Sequence, residues 1–337
     1  MPFWENFFPG YATNTMTATQ AIYDIYVNQG NDPTTALTII DTDASGCSPC
    51  SRFGPYAIFN AQYSSLAAFR SRGGGNYHAM QWTLRKRFSE GLQFDFNYTW
   101  SKSIDLGSTV ETDRDPYNGQ IENAWFPGQN KAVSDYDITH VFSVFWLAEL
   151  PFGRGKRFLG TSNRALDAVL GGWQLSGIWR QASGLPTGVH NGGVWPTNWN
   201  VEPWATQVGV VPSPHTTKNA PAALPGGPPG PNIFSDPSKA VSAYDYTLPG
   251  ESGQRNGIRG DGYFAVDLGL AKRFTLFTVH DTPHTLQFRA EAFNVTNSVR
   301  FDIFSAQLDI SDPVNFGKYT NTLTRPRVMQ FGLRYEF

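Results

Sequence analysis

Six histidines, His78, His140, His190, His215, His280 and His284, fall on separate segments, and none belongs to an H-E-x-x-H helix that would hold zinc. No G-x-S-x-G nucleophile elbow and no glycine-rich phosphate loop accompanies them. The expectation is a protein that is not an enzyme and takes no cofactor or metal. The acidic residues Asp105, Glu111, Asp113 and Asp115 lack the ligand spacing of a calcium loop and read as a solvated loop. Cys47 and Cys50 stand in GCSPCS without a second pair for zinc and without the strand-to-helix setting of a redox motif. They read as a local disulfide of an oxidising compartment. Trp195, Trp199 and Trp204 lie among Asn and Pro in a very long irregular stretch. Loop aromatics of this kind contact ligands by stacking on a sugar or peptide, or pack the loop itself.

Whatever these residues do, they are carried by strands. Residues 92–100 read LQFDFNYTW, so Leu92, Phe94, Phe96, Tyr98 and Trp100 share one face and Gln93, Asp95, Asn97 and Thr99 the other. The same period recurs at 76–88 (Met80, Trp82, Leu84), 172–180 (Trp173, Leu175, Trp179), 262–274 (Phe264, Val266, Leu268, Leu270, Phe274), 284–292 (Leu286, Phe288, Ala290) and 327–337 (Met329, Phe331, Leu333, Tyr335, Phe337). Residues 138–150, ITHVFSVFWLAEL, form a seventh strand whose facing the run of apolar residues leaves open. Ser89 to Gly91 joins the first two as a hairpin.

Only 16% of the 337 residues are charged and 15% are aromatic, against roughly a quarter charged in ordinary soluble domains. A net charge of −2 argues against nucleic acid as a partner. No stretch approaches the ~18 uninterrupted apolar residues of a spanning helix. The seven strands, however, exceed the ~5–6 residues of a typical soluble strand and suit a tilted membrane strand of ~9–11 residues. Their connections alternate: 89–91 and 275–283 are short, 151–167 is intermediate, and 106–137, 184–260 and 298–324 are long. Outer-membrane barrels pair tight periplasmic turns with long extracellular loops in this way. The expectation is an all-β chain, an antiparallel transmembrane β-barrel, with residues 1–75 as an extracellular loop region bearing a short helix near Ala21 and Ile25, and 76–337 as barrel strands and loops. Arg85, Arg87, Asp95, Arg180, Asp267, Arg289, Glu291, Arg334 and Glu336 then face a water-filled lumen, while Lys86 snorkels to headgroups beside the short turn.

Seven strands leave two open edges, so strands preceding residue 76 are expected, with the chain a C-terminal portion of a larger barrel; MPFWENFFPGYATN carries no export signal. YHAMQWTLRKRFSEGLQFDFNYTWSKSIDLGS (77–108), DITHVFSVFWLAELPFGRGKRF (137–158), GGWQLSGIWRQASGLP (171–186) and LQFRAEAFNVTNSVRF (286–301) resemble, in that order, the C-terminal barrel of Oar-like TonB-dependent receptors. The resemblance implies about seven to eight strands of a ~22-stranded plugged barrel that imports a scarce nutrient with energy passed through TonB. On this resemblance the plug, the TonB box and the early strands are expected to lie outside these residues, with TonB a partner only through that absent part. The ending Gln330-Phe331-Gly332-Leu333-Arg334-Tyr335-Glu336-Phe337 is similar to the terminal signal read by the barrel assembly machinery, with Gln330, Gly332, Tyr335 and Phe337 at its marked positions. The expected setting is the outer membrane and its lipid. The alternatives are a small free-standing barrel, an adhesin or passive pore with an eighth strand at 56–70, and a soluble β-sandwich lectin.

Overall fold

The computed structural model describes residues 12–18, 20, 21, 24, 73–108, 126–192, 204–247 and 251–337. Seven long strands build one antiparallel meander: β1 (Gly75–Ser89), β2 (Leu92–Asp105), β3 (His140–Glu149), β4 (Trp173–Ala182), β5 (Tyr263–Val279), β6 (Thr282–Phe293) and β7 (Val328–Glu336). Each pairs with its neighbours in sequence order, so every connection is a simple reversal. A two-residue strand, Ala132–Val133, extends the ladder beside Ile104 and Asp105. Among the described residues β1 and β7 each keep one edge without a partner strand, and the sheet is open.

Two reversals use left-handed backbone at both central positions, Glu90–Gly91 (φ 53° and 75°) and His280–Asp281 (φ 47° and 64°). Turns of this hand match the twist of the flanking strands and make the tightest hairpins. The second is tighter than the 275–283 connection expected from sequence. β5 runs on to Val279 because a register shift between Thr275 and Phe277 lets the ladder continue past Phe274.

Pairing fixes which side chains share a face. Trp82, Tyr98, Phe142, Trp179, Val266, Ala292 and Met329 lie on one side, together with their neighbours two residues along each strand. This settles β3: Phe142, Val144 and Trp146 point outward with the apolar set, and Ser143, Phe145 and Leu147 point to the polar side. Among the described residues the apolar face has no protein cover over most of its area. Trp82 is 61% exposed, Phe331 68% and Leu333 70%. The other sheets are two-stranded pairs within the long loops, so among the described residues no second layer meets this face, which is not what the soluble sandwich alternative requires.

The hydrophobic core sits in the loops instead. Val189, Ile233, Phe234, Ile258, Ile303, Phe316 and Tyr319 are buried together, drawn from the β4–β5 and β6–β7 connections. Phe234 stacks on Phe316 at 6.1 Å and Phe301 on Tyr319 at 5.0 Å. Main-chain bonds run between the two loops, from Ile233 N to Gly317 O and from Tyr319 N to Pro231 O, both 2.9 Å. Burial pushes the Tyr244 and Tyr319 phenols up to about 12. Residues 18, 20, 21 and 24 are helical, as the early spacing predicts; Ile25 lies outside the described residues.

Candidate functional site

The polar side of the sheet carries rows of charge that are paired across strands. Arg85 on β1 meets Asp95 on β2 at 2.8 Å, and Asp95 also accepts from Asn97 at 2.8 Å. Arg180 on β4 reaches Asp267 on β5 at 3.2 Å. Glu291 on β6 accepts from Arg289 and from Gln330 on β7, and Glu336 accepts from Arg273 at 3.4 Å and Arg334 at 3.2 Å. Most inward charges read from the alternation therefore pair with one another, as a water-lined wall requires. In the middle of this polar wall lies a hollow of about 370 Å³. Phe145, Leu147, Ile178 and Phe293 give it an apolar floor between Asp95, Asp267 and Glu291.

Above the wall the loops are latched to one another. Arg255, in the β4–β5 loop, is almost wholly buried and pairs with Asp105 at the top of β2 and with Asp135 at 3.0 Å. Its guanidinium also donates to the carbonyls of Asn130 (3.2 Å) and Asp105 (3.1 Å). Asn256 donates to Val133 O at 2.8 Å and to Asp135 at 2.6 Å. Arg259 pairs with Asp137 and donates to the carbonyls of Asp137 (2.9 Å) and Gly184 (3.0 Å). Asp137 in turn accepts from Ser103 N at 2.6 Å. Asp105 lies beyond the apolar belt, whose outermost ring on β2 is Trp100. Burial alone would raise its pKa, but hydrogen bonds from Ser108, Ser134 and Arg255, with the Arg255 charge, outweigh that and leave it below the ordinary value. Asp105, expected in a solvated loop, is instead buried at the end of β2 and ion-paired, because Arg255 folds back onto it. The partners in this latch stand 120–150 residues apart, and no local spacing marks them.

Aromatic side chains gather at both rims of the belt. On the long-loop side Tyr98 bonds His140 at 2.9 Å and packs at a tilt, at 4.5 Å, against Phe142, whose ring lies 6.3 Å from Trp179. On the short-turn side His284 bonds the Tyr335 hydroxyl and stacks between Phe277 (4.7 Å) and Phe337 (6.3 Å). Amphipathic rings at two levels are the pattern of a membrane-spanning wall, with one polar end in each interface. A family profile described as an outer membrane beta barrel domain matches residues 10–330. The chain belongs to that family. No curated protein and no solved structure matches the chain. This barrel domain resides in the outer membrane, and its open seven-strand sheet is a partial barrel with long extracellular loops.

Within the barrel domain the residues singled out by sequence fall in different places. Gln330, Gly332, Tyr335 and Phe337 all lie on β7 or just after it, with Tyr335 and Phe337 in the short-turn aromatic cluster. Gly332 faces inward opposite Arg289, and a Cβ there would meet nothing within 4 Å. Trp204 leans on His190 at 4.4 Å and covers Gly188, where a Cβ would come within 2.4 Å of its ring. Trp195, Trp199, Cys47 and Cys50 lie outside the described residues. Among the described residues no cluster of His, Cys, Asp and Glu is placed to hold a metal.

One connection departs from the expected intermediate loop. Between β3 and β4 the chain forms a short helix, α1 (Arg164–Leu170), capped by Asn163 through Leu166 N at 2.8 Å. Lys272 lies on the lipid-facing side of β5, paired with Trp173 and Phe288. Its ammonium donates to the α1 carbonyls of Ala168 (2.6 Å) and Asp167 (3.3 Å). Position 272 is the even-numbered gap in the apolar series Phe264 to Phe274, which is the one trace it leaves in the sequence.

Proposed function

We propose that this barrel domain is the C-terminal wall of an Oar-like TonB-dependent receptor that captures a bulky nutrient at the cell surface and imports it. The reading is carried by the extracellular cap, two long loops packed around their own apolar core and ion-paired to a third above a polar wall. A general diffusion pore has little use for such a core over its lumen, whereas a receptor needs loops held in one shape to recognise a ligand. Recognition falls to the loop aromatics, Trp204 together with Trp195 and Trp199, and the protein moves its ligand without making or breaking covalent bonds. Energy arrives from TonB through a plug supplied by parts outside these strands, which also seal the two open edges. Cys47 and Cys50 form a disulfide in the oxidising periplasm and at the surface. In this reading β7 is the strand that the barrel assembly machinery engages, and Gly332 serves that engagement, since the folded wall offers no close neighbour that would require a glycine.

Planar-bilayer recording on the full-length protein tests this. A plugged receptor shows no steady conductance, and uptake in cells stops when the proton-motive force is collapsed. A steady open pore, or uptake that survives collapse of the gradient, replaces the receptor with the free-standing barrel.

A further inference from the structure

We infer that the β3–β4 connection, residues 150–172, is an interfacial anchor that binds anionic phospholipid headgroups in the periplasmic leaflet of the outer membrane. It lies on the same side as the Glu90–Gly91 and His280–Asp281 turns, which is the periplasmic side in this family of folds. It does not hang free below the wall. Lys272, reaching out from the lipid-facing side of β5, holds the α1 carbonyls, and the Trp173 indole donates to Val169 O at 2.8 Å. Both tethers come from the outer face, so α1 lies against the outside of the barrel, continuous with the belt that meets lipid tails.

The connection's own side chains complete an amphipathic surface. Phe152, Phe158, Leu166, Val169 and Leu170 are exposed, with Val169 63% so. Arg154, Arg157 and Arg164 are exposed beside them. Lys156 is occupied by Glu149 at 2.7 Å, and the Asp167 carboxylate is taken up by Arg154 N at 2.7 Å. The three guanidinium groups therefore have no carboxylate partner among the described residues. Exposed aliphatics beside unneutralised arginines are the composition of a segment lying in the headgroup region, apolar side down and cations on phosphate. The unit is also preformed. A Cβ on Gly153 would come within 2.8 Å of Gly171 Cα, and one on Gly171 within 2.3 Å of the Asp167 carboxylate, so loop and helix are closed on each other. Little ordering is left for lipid binding to impose.

The test uses the full-length protein in detergent, titrated with phosphatidylglycerol or phosphatidylcholine and read by native mass spectrometry. Replacing Arg154→Gln, Arg157→Gln and Arg164→Gln together is expected to cut the preference for phosphatidylglycerol by about ten-fold or more, within the ~100-fold ceiling set by three arginines at an anionic surface. The Arg→Lys triple variant is expected to keep it. Equal preference in the wild type and the Gln triple variant overturns the inference, as does displacement of the lipid by millimolar inorganic phosphate, which marks a soluble-anion site. Should the triple variant fail to assemble, a nitroxide on Val169→Cys, with Cys47→Ser and Cys50→Ser, decides alone. Relaxation by oxygen and not by a water-soluble nickel chelate supports the anchor. Relaxation by the chelate, or shielding from both reagents by a covering protein in cell envelopes, refutes it.

Discussion

Replacing Arg255 with Met should free the β4–β5 loop from the β2–β3 loop without unfolding the wall. The guanidinium is 6% exposed and its partner Asp105 carboxylate 11%, so the substitution strands a nearly buried charge. Breaking such a pair costs about 3–5 kcal/mol. The lower end applies, because Asp135 is 28% exposed and can turn to water. About 3 kcal/mol corresponds to a rise of at least about a hundred-fold in the undocked population. Amide hydrogen exchange reads that population directly when opening is fast and reversible. Residues 127–137 and 251–259 should lose protection by that factor, while the ladders of β4 and β5 stay protected, since none of their bonds passes through Arg255. Adding Asp105→Asn and Asp135→Asn to Arg255→Met removes the stranded carboxylates and should restore part of the protection. Unchanged exchange in the single variant would show that the latch is decoration and that the loop core alone holds the cap. The pH dependence has a definite sign. Asp105 titrates below its ordinary value of 3.8 in the folded protein. Its contribution is therefore complete above that value and is lost as the pH falls through the lower, folded one. The cap should remain docked throughout the neutral and mildly acidic range and open only in strong acid.

Three further perturbations probe the wall. Leu333→Arg places a charge on the lipid face and should cost about 2–4 kcal/mol in folding into vesicles, whereas Gly332→Ser, one residue along and facing inward into open space, should cost under about 0.5 kcal/mol; equal effects would mean that the faces are misassigned. Gly177→Ala drives a Cβ to 2.1 Å from the Trp146 ring and should destabilise by about 1–3 kcal/mol, with Trp146→Phe in the same chain recovering part of the loss; denaturant titration in detergent checks both. Lys272→Met removes the donor to Ala168 O and Asp167 O and should raise exchange of the α1 amides by about ten-fold, leaving the β5–β6 ladder unchanged.

Strands and faces were legible wherever each face met a single solvent. In β2, Phe94, Phe96 and Tyr98 point to lipid while Asp95, Asn97 and Thr99 point to water, and a period of two follows. It blurs in β3 for a physical reason: Phe145 and Leu147 point into the lumen, where with Ile178 and Phe293 they floor the hollow. An apolar residue on the wet side leaves the same letter as one on the lipid side, and only the pairing with Asp95 and Gln93 tells them apart. The converse exception is Lys272, a cation on the lipid side, tolerable because α1 supplies carbonyls and Trp173 and Phe274 lie within 5.5 and 5.0 Å of its ammonium.

The cap lay further out of reach because its interactions have no sequence period at all. Arg255, Asn256 and Arg259 sit in RNGIR, a stretch that by itself offers only turn chemistry and charge. Their meaning comes from Asp105, Asp135 and Asp137, which the end of β2 and the β2–β3 connection deliver to the same spot at the long-loop end of the sheet. Strand registry therefore does more than build a wall. By ending β2 at Asp105 and starting β3 at His140 it fixes where the carboxylates emerge, and the long loop, tied back at Ile258–Arg259 to Pro186–Thr187, can close in one place. A one-residue slip of β2 against β3 would turn Asp105 to the lipid side and leave Arg255 buried without its main partner. The periodic part of the sequence thus constrains the irregular part, and a cap of this kind is expected to fold after the strands beneath it.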